Sequence, residues 1–150
     1  MNVLIVEPIV EMRHFLEKYF EYNNIQYYTT DNIGDGLYVA QYPGIDGIFL
    51  GDCLKDPTRC YSQKEFLEKN GEAFVFMFML RRQLLRDTPV CAMLAAEWYA
   101  GFDITKSFEG YGVTYILAKP FPLEGELEVV IWGMQQKAFQ EKLFRNQSPS

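Results

Sequence analysis

The chain has 150 residues, 49% of them apolar and 16% aromatic, and carries a net charge of −6. That length and apolar content suit one domain around a single core and exclude a disordered chain. With an acidic balance and no cluster of Lys and Arg, the footprint of nucleic-acid binding is missing. The longest apolar run, Ala73 to Leu80, is eight residues, where a membrane span needs about 20. No signal-type start precedes it, so the chain is expected to be cytoplasmic.

The first element is read in "NVLIVEP", Asn2 to Pro8, where the apolar run Val3 to Val6 stops at an acid and a proline. Met12, Phe15, Leu16, Tyr19 and Phe20 then recur at helical spacing, with Glu11, Glu17, Lys18 and Glu21 opposite, which predicts an amphipathic helix. His14 on that helix reads as a surface residue. A polar-aromatic strand follows at Ile25 to Thr29, and a third, apolar strand at Ile48 to Leu50 leads to Asp52.

"PTRCYSQKEFLEKN", Pro57 to Asn70, reads as an insertion, with Ser62 as a cap and Glu65 completing a capping box for a short extra helix. The run Ala73 to Leu80 exceeds two helical turns, so its apolar surface goes all round the helix. One side meets the sheet; the other needs cover from the insertion or from a second copy of the chain. Val90 to Ala95 reads as the fourth strand, with Cys91 a small core residue. Cys53 and Cys60 read as loop thiols, and three cysteines with one histidine have no zinc-site spacing.

Glu97 to Gly112 should hold a helix, although Gly101, Ile104 and Thr105 make it a poor one. Trp98, Tyr99, Phe102 and Phe108 load that segment with aromatics, as anchors at an interface or as core packing. Tyr115 to Leu117 reads as the fifth strand, ending near Lys119. Leu123, Leu127, Val130, Ile131, Met134 and Ala138 make one stripe of a last helix, with Val129 and Trp132 off it. Apolar strands alternating with helices predict a doubly wound α/β domain: a five-stranded parallel sheet in a three-layer, flavodoxin-like arrangement. In such folds ligands sit at the carboxyl ends of the strands, and there Glu7, Asp52 and Lys119 should converge.

That trio, with "KPF" at Lys119 to Phe121, "VLIVE" followed by Arg13, "TPV" at Thr88 to Val90, and Gly112 before the last strand, resembles the receiver domain of bacterial response regulators. The likeness runs along nearly the whole chain and implies the strand order 2-1-3-4-5, a receiver-like domain over 1–145 and a flexible tail over 146–150. It makes the 57–70 segment an insertion of about ten residues between strand 3 and helix 3. Asp52 takes the phosphoacceptor position, although counting from Asp46 would select Gly51. Glu7 takes the acidic pocket, Lys119 the lysine that pairs with the phosphoryl group, and Ala95 and Ile116 the two switch positions. The face made by the fourth helix, fifth strand and last helix is implied as the contact for partners.

Departures from the pattern qualify this. The family usually ends its first strand with two acids; here Pro8 follows Glu7 and offers no donor, so Glu7 and Asp52 are left to hold Mg²⁺ weakly or not at all. Ala95 stands where a hydroxyl would bind a phosphoryl oxygen, a bond worth about 1.5 to 3 kcal/mol. Ile116 stands where many receivers carry a switching aromatic, and Tyr115 is one position off, on the opposite face. The reading adopted is an atypical, pseudo-receiver signalling domain with no enzymatic activity. It would act through a protein partner, a histidine kinase or downstream effector, as a homodimer, with Glu7, Asp52 and Lys119 as a fixed ion cluster. Two alternatives stay open: a working response regulator phosphorylated on Asp52 with Mg²⁺, and a flavodoxin-like domain that binds a small molecule in the crevice.

Overall fold

The computed structural model describes residues 1–52, 62–94, 104–119 and 125–147. Five parallel strands, β1 (Asn2–Val6), β2 (Gln26–Thr30), β3 (Gly47–Gly51), β4 (Val90–Leu94) and β5 (Tyr115–Ala118), form one sheet in the order β2-β1-β3-β4-β5. The order reverses between β1 and β3, so the crevice of a doubly wound fold opens between their carboxyl ends. The fold is the three-layer α/β arrangement that the alternating pattern predicts.

Period-two alternation explains the layers. Val3 and Ile5 point into one core with Phe49, Cys91, Met93 and Leu117, against α1 (Val10–Tyr22) and α6 (Glu126–Gln147). Leu4 and Val6 point into the other with Leu50, Ala92 and Leu94, against α2 (Ile33–Ala40), α4 (Gly71–Phe78) and α5 (Ile104–Gly110). Every residue of β3 and β4 is buried, as strands covered on both faces must be. The short helix α3 (Gln63–Lys69) starts at Ser62, whose Oγ accepts from Glu65 N at 3.2 Å and lies 3.3 Å from Glu65 Oε1. Asn32 caps α2 by accepting from Asp35 N at 2.8 Å.

Several expectations shift. α4 continues into a π-helical turn, Met79–Gln83, whose Arg81 ties the two loops that enter β4 and β5. Its guanidinium donates to the carbonyls of Arg86 and Thr88, each at 2.8 Å, and of Gly112 at 2.9 Å. Phe74 of α4 joins the core by packing against α5: it lies on Phe108 and stacks on Tyr111 with ring centroids 4.9 and 4.8 Å apart. Phe108 is therefore core and not a surface anchor. Val75 and Phe78 of α4 stay exposed. Ile104 and Thr105 do lie within a helix, α5, because packing of Phe108 outweighs their weak propensity. α6 runs to Gln147. Cys53, Cys60, Ala95, Trp98, Tyr99, Phe102, Leu123 and the first part of the insertion, 57–61, lie outside the described residues. No described helix is long and apolar enough to cross a membrane.

Candidate functional site

β1, β3 and β5 each deliver one ionisable residue to the same edge, directly after the strand ends. Backbone bonds hold these positions in line with the sheet: Glu7 N donates to Thr30 O at 3.0 Å, Asp52 N to Met93 O at 3.0 Å, and Lys119 N to Leu94 O at 2.7 Å. The three side chains meet. Lys119 Nζ lies 2.9 Å from Glu7 Oε1, 2.8 Å from Glu7 Oε2 and 3.2 Å from Asp52 Oδ1. All three are buried, at 0% exposure for Glu7, 1% for Asp52 and 6% for Lys119. The aligned hydrogen bond goes to Oε1; the contact with Oε2 is ionic, since that oxygen has no hydrogen-bond partner in good geometry.

Glu7 is also tied to the start of α1. Its Oε1 accepts from Ile9 N at 3.1 Å, and its carbonyl accepts from Arg13 Nη1 at 2.7 Å. Pro8 has no N–H, so Ile9 is the first donor the carboxylate can reach, and a negative charge is favoured at a helix N-terminus. Burial nevertheless dominates and raises the Glu7 carboxyl above its ordinary range, with Lys119 and the Ile9 amide pulling it back.

Register explains how Glu7 reaches across. Val6 pairs with Leu50, so Glu7 stands beside Gly51 on the neighbouring strand. The Glu7 carboxylate lies over Gly51, where a β-carbon would come 2.6 Å from Cδ and 3.0 Å from Oε1. Sequence reasoning weighed Gly51 only as a rival acceptor position. The strand register was the signal that would have shown it as the floor under Glu7. Of the two candidate positions, Asp52 carries the carboxylate that meets Lys119.

Ile116 and Tyr115 lie on opposite faces of β5. Ile116 packs in the core with α4 and α5, and Tyr115 packs in the core with α6, its hydroxyl close to Gly133. His14 is exposed on α1, and Cys91 is buried and free.

A divalent cation does not fit this donor set. Its two acids already share the Lys119 ammonium at contact distance, Pro8 supplies no oxygen side chain, and no group of three potential ligands occurs among the described residues. Beside the cluster a cavity of about 190 Å³ is lined by Pro8, Asp31, Asn32, Gly51 and Glu72, among others. It is smaller than the roughly 300 to 1,000 Å³ of small-molecule sites.

No family model matches the chain, and no curated protein matches it. Solved structures do. The Francisella response regulator 1452 receiver domain is similar at 18% identity over 91% of this chain and 98% of that one, with a TM-score of 0.64. A two-component response regulator from Clostridium difficile is similar at 16% identity over 92% and 98%, with a TM-score of 0.67. The receiver domain of sensor histidine kinase PA1611 from Pseudomonas aeruginosa PAO1, which has a magnesium ion coordinated in its active-site cleft, is similar at 15% identity over 89% and 97%, with a TM-score of 0.64. At these identities the likeness is one of fold: the chain has the fold of response-regulator receiver domains.

Proposed function

We propose that this chain is an atypical receiver domain of two-component signalling, without catalytic activity, that works by binding another protein. Its phosphorylation site is degenerate. One observation supports this reading: the Lys119 ammonium stands between the Glu7 and Asp52 carboxylates at 2.8 to 3.2 Å, so the two acids that would hold a metal are already paired with a protein cation. Phosphoryl transfer relies on positioning and charge neutralisation. Here the neutralising charge is already committed, and Pro8 removes one metal ligand. A buried ion cluster of this kind fixes geometry rather than adding much stability. The partner would be a kinase or a downstream effector, with the chain itself dimeric.

The test is labelling with acetyl phosphate or phosphoramidate, beside partner binding by wild type and Asp52→Asn. Undiminished binding by Asp52→Asn and no label support the reading. A label that disappears with Asp52→Asn overturns it. That outcome would establish the second reading, phosphorylation of Asp52 with weakly held Mg²⁺, which the 3.2 Å contact between Lys119 Nζ and Asp52 Oδ1 favours, because the same ammonium would meet phosphoryl oxygens.

A further inference from the structure

Helix α6 has two apolar faces. Leu127, Val130, Ile131 and Met134 are buried against the sheet. On the other side Val129, Trp132, Phe139 and Leu143 are 64%, 63%, 58% and 43% exposed. At 3.6 residues per turn these four and Gln136 fall in a stripe about 80° wide, on the side of the helix opposite the buried stripe. Their spacing alternates three and four residues, from 129 to 132, 136, 139 and 143, which is the seam of a helix that packs on another helix. The outer face of a helix in a lone domain is ordinarily polar.

We propose that this outer face is where two copies of the chain pair, α6 lying antiparallel on α6 of the second copy, with the seam centred near Gln136. The proposal deepens the dimeric part of the reading above and rests on it, but not on the ion cluster.

Repeat, charge and area choose the occupant. A seam with a repeat of 3.5 residues is complementary to a second helix of the same repeat, and a copy of α6 supplies one. Gln135, Gln136 and Gln140 at and beside its middle are uncharged, so self-pairing meets no like-charge opposition there. The start carries Glu126 and Glu128, and the finish carries Lys142 and Arg145 against the single acid Glu141, which lies 3.8 Å from Arg145, so the start is acidic and the finish net basic. An antiparallel pair sets each acidic end beside the other copy's basic end, whereas a parallel pair would set like beside like. Aromatic side chains offer roughly 150 to 250 Å² each, so at this exposure the seam supplies on the order of 400 Å² per copy. Two copies then approach the roughly 1,000 Å² of the smallest specific interfaces. The dimer is accordingly reversible and concentration-dependent.

The test uses the full chain with Cys53→Ser and Cys60→Ser, followed by sedimentation from about 5 to 200 μM, the range in which a micromolar Kd is read. Expected are a monomer–dimer equilibrium and its loss in Trp132→Glu/Phe139→Glu with an unchanged circular dichroism spectrum and Tm. If that pair fails to fold, Gln136→Lys places like charges at the seam's centre and must weaken the dimer at least tenfold. Under mild oxidant Gln136→Cys should cross-link two copies. Leu143→Cys should not, because antiparallel packing separates the two residues by roughly 20 Å where a disulfide needs less than about 7 Å. A chain that stays monomeric at the highest concentration overturns this surface and the dimeric reading together, leaving the seam to a different protein. A dimer that survives the glutamates overturns the surface alone, and cross-linking through Leu143→Cys overturns the antiparallel arrangement.

Discussion

The carboxylate of Glu7 rests across the backbone of Gly51, close enough that a β-carbon on residue 51 would overlap it. The absence of a side chain there lets an acid from β1 cross the end of β3 and share Lys119 with Asp52. The glycine and the ion cluster are therefore one arrangement, and each should be sensitive to the other.

Gly51→Ala should displace the Glu7 carboxylate and destabilise the protein by about 2 to 3 kcal/mol, the upper part of the range for overpacking a filled site. In a Glu7→Ala background the same change should cost under about 1 kcal/mol, because the overlapping group is gone. Urea unfolding of the four proteins measures the coupling. Equal costs in both backgrounds would show that Glu7 does not lie over Gly51.

Lys119→Met leaves two buried carboxylates without their cation and should cost about 3 to 5 kcal/mol at neutral pH. Adding Glu7→Gln and Asp52→Asn should recover a large part of that loss, since no uncompensated charge then remains buried. Denaturant midpoints at constant slope report both effects.

Mg²⁺ at 10 mM should stabilise the wild type by less than about 0.4 kcal/mol, the amount produced by a ligand at a concentration equal to its Kd. Pro8→Asp restores an oxygen donor beside Glu7 and should bring a Mg²⁺-dependent rise in Tm that the wild type lacks. A clear response of the wild type would contradict the ammonium's hold on both acids.

Glu128, in the first turn of α6, accepts from Gly125 N at 2.8 Å and also from Tyr19 Oη at 3.1 Å. Backbone N–H groups, its own first and then that of Gly125, hold its carboxyl below the ordinary 4.5. A lowered pKa in the folded state means that its contribution is present above pH 4.5 and is lost as the pH falls through the folded value. Glu128→Gln should therefore cost about 0.5 kcal/mol at pH 7, small because water screens this exposed site, and progressively less as the pH falls below 4.5. Thermal unfolding across pH 2 to 7 checks the convergence.

Local pattern determined much of this molecule. Continuous apolar runs at Val3 to Val6 and Ile48 to Leu50, the helical stripes of Met12 to Phe20 and Leu127 to Met134, and the Ser62 cap are visible because a strand covered on both faces is apolar throughout, whereas a surface helix is apolar along one stripe. Connection rules then put the ends of β1, β3 and β5 on one edge, so the neighbourhood of Glu7, Asp52 and Lys119 could be anticipated without coordinates. The exposed positions of Val129 and Trp132 could be read as well, since a helical wheel separates them from the buried stripe.

Only the tertiary structure decided the rest. Phe108 lies in an aromatic-rich segment, and whether such a ring faces a partner or the core depends on what packs beside it, here Phe74. Arg81 sits in the π-helical turn with no local sign that two carbonyls of the loop just after it and a third from Gly112, 31 residues on, await it. The part of Gly51 depends on the register of β1 against β3, and register comes from pairing between residues more than forty positions apart. Repeats in a sequence report what each segment can bury, but a contact between segments exists only once the sheet has aligned them.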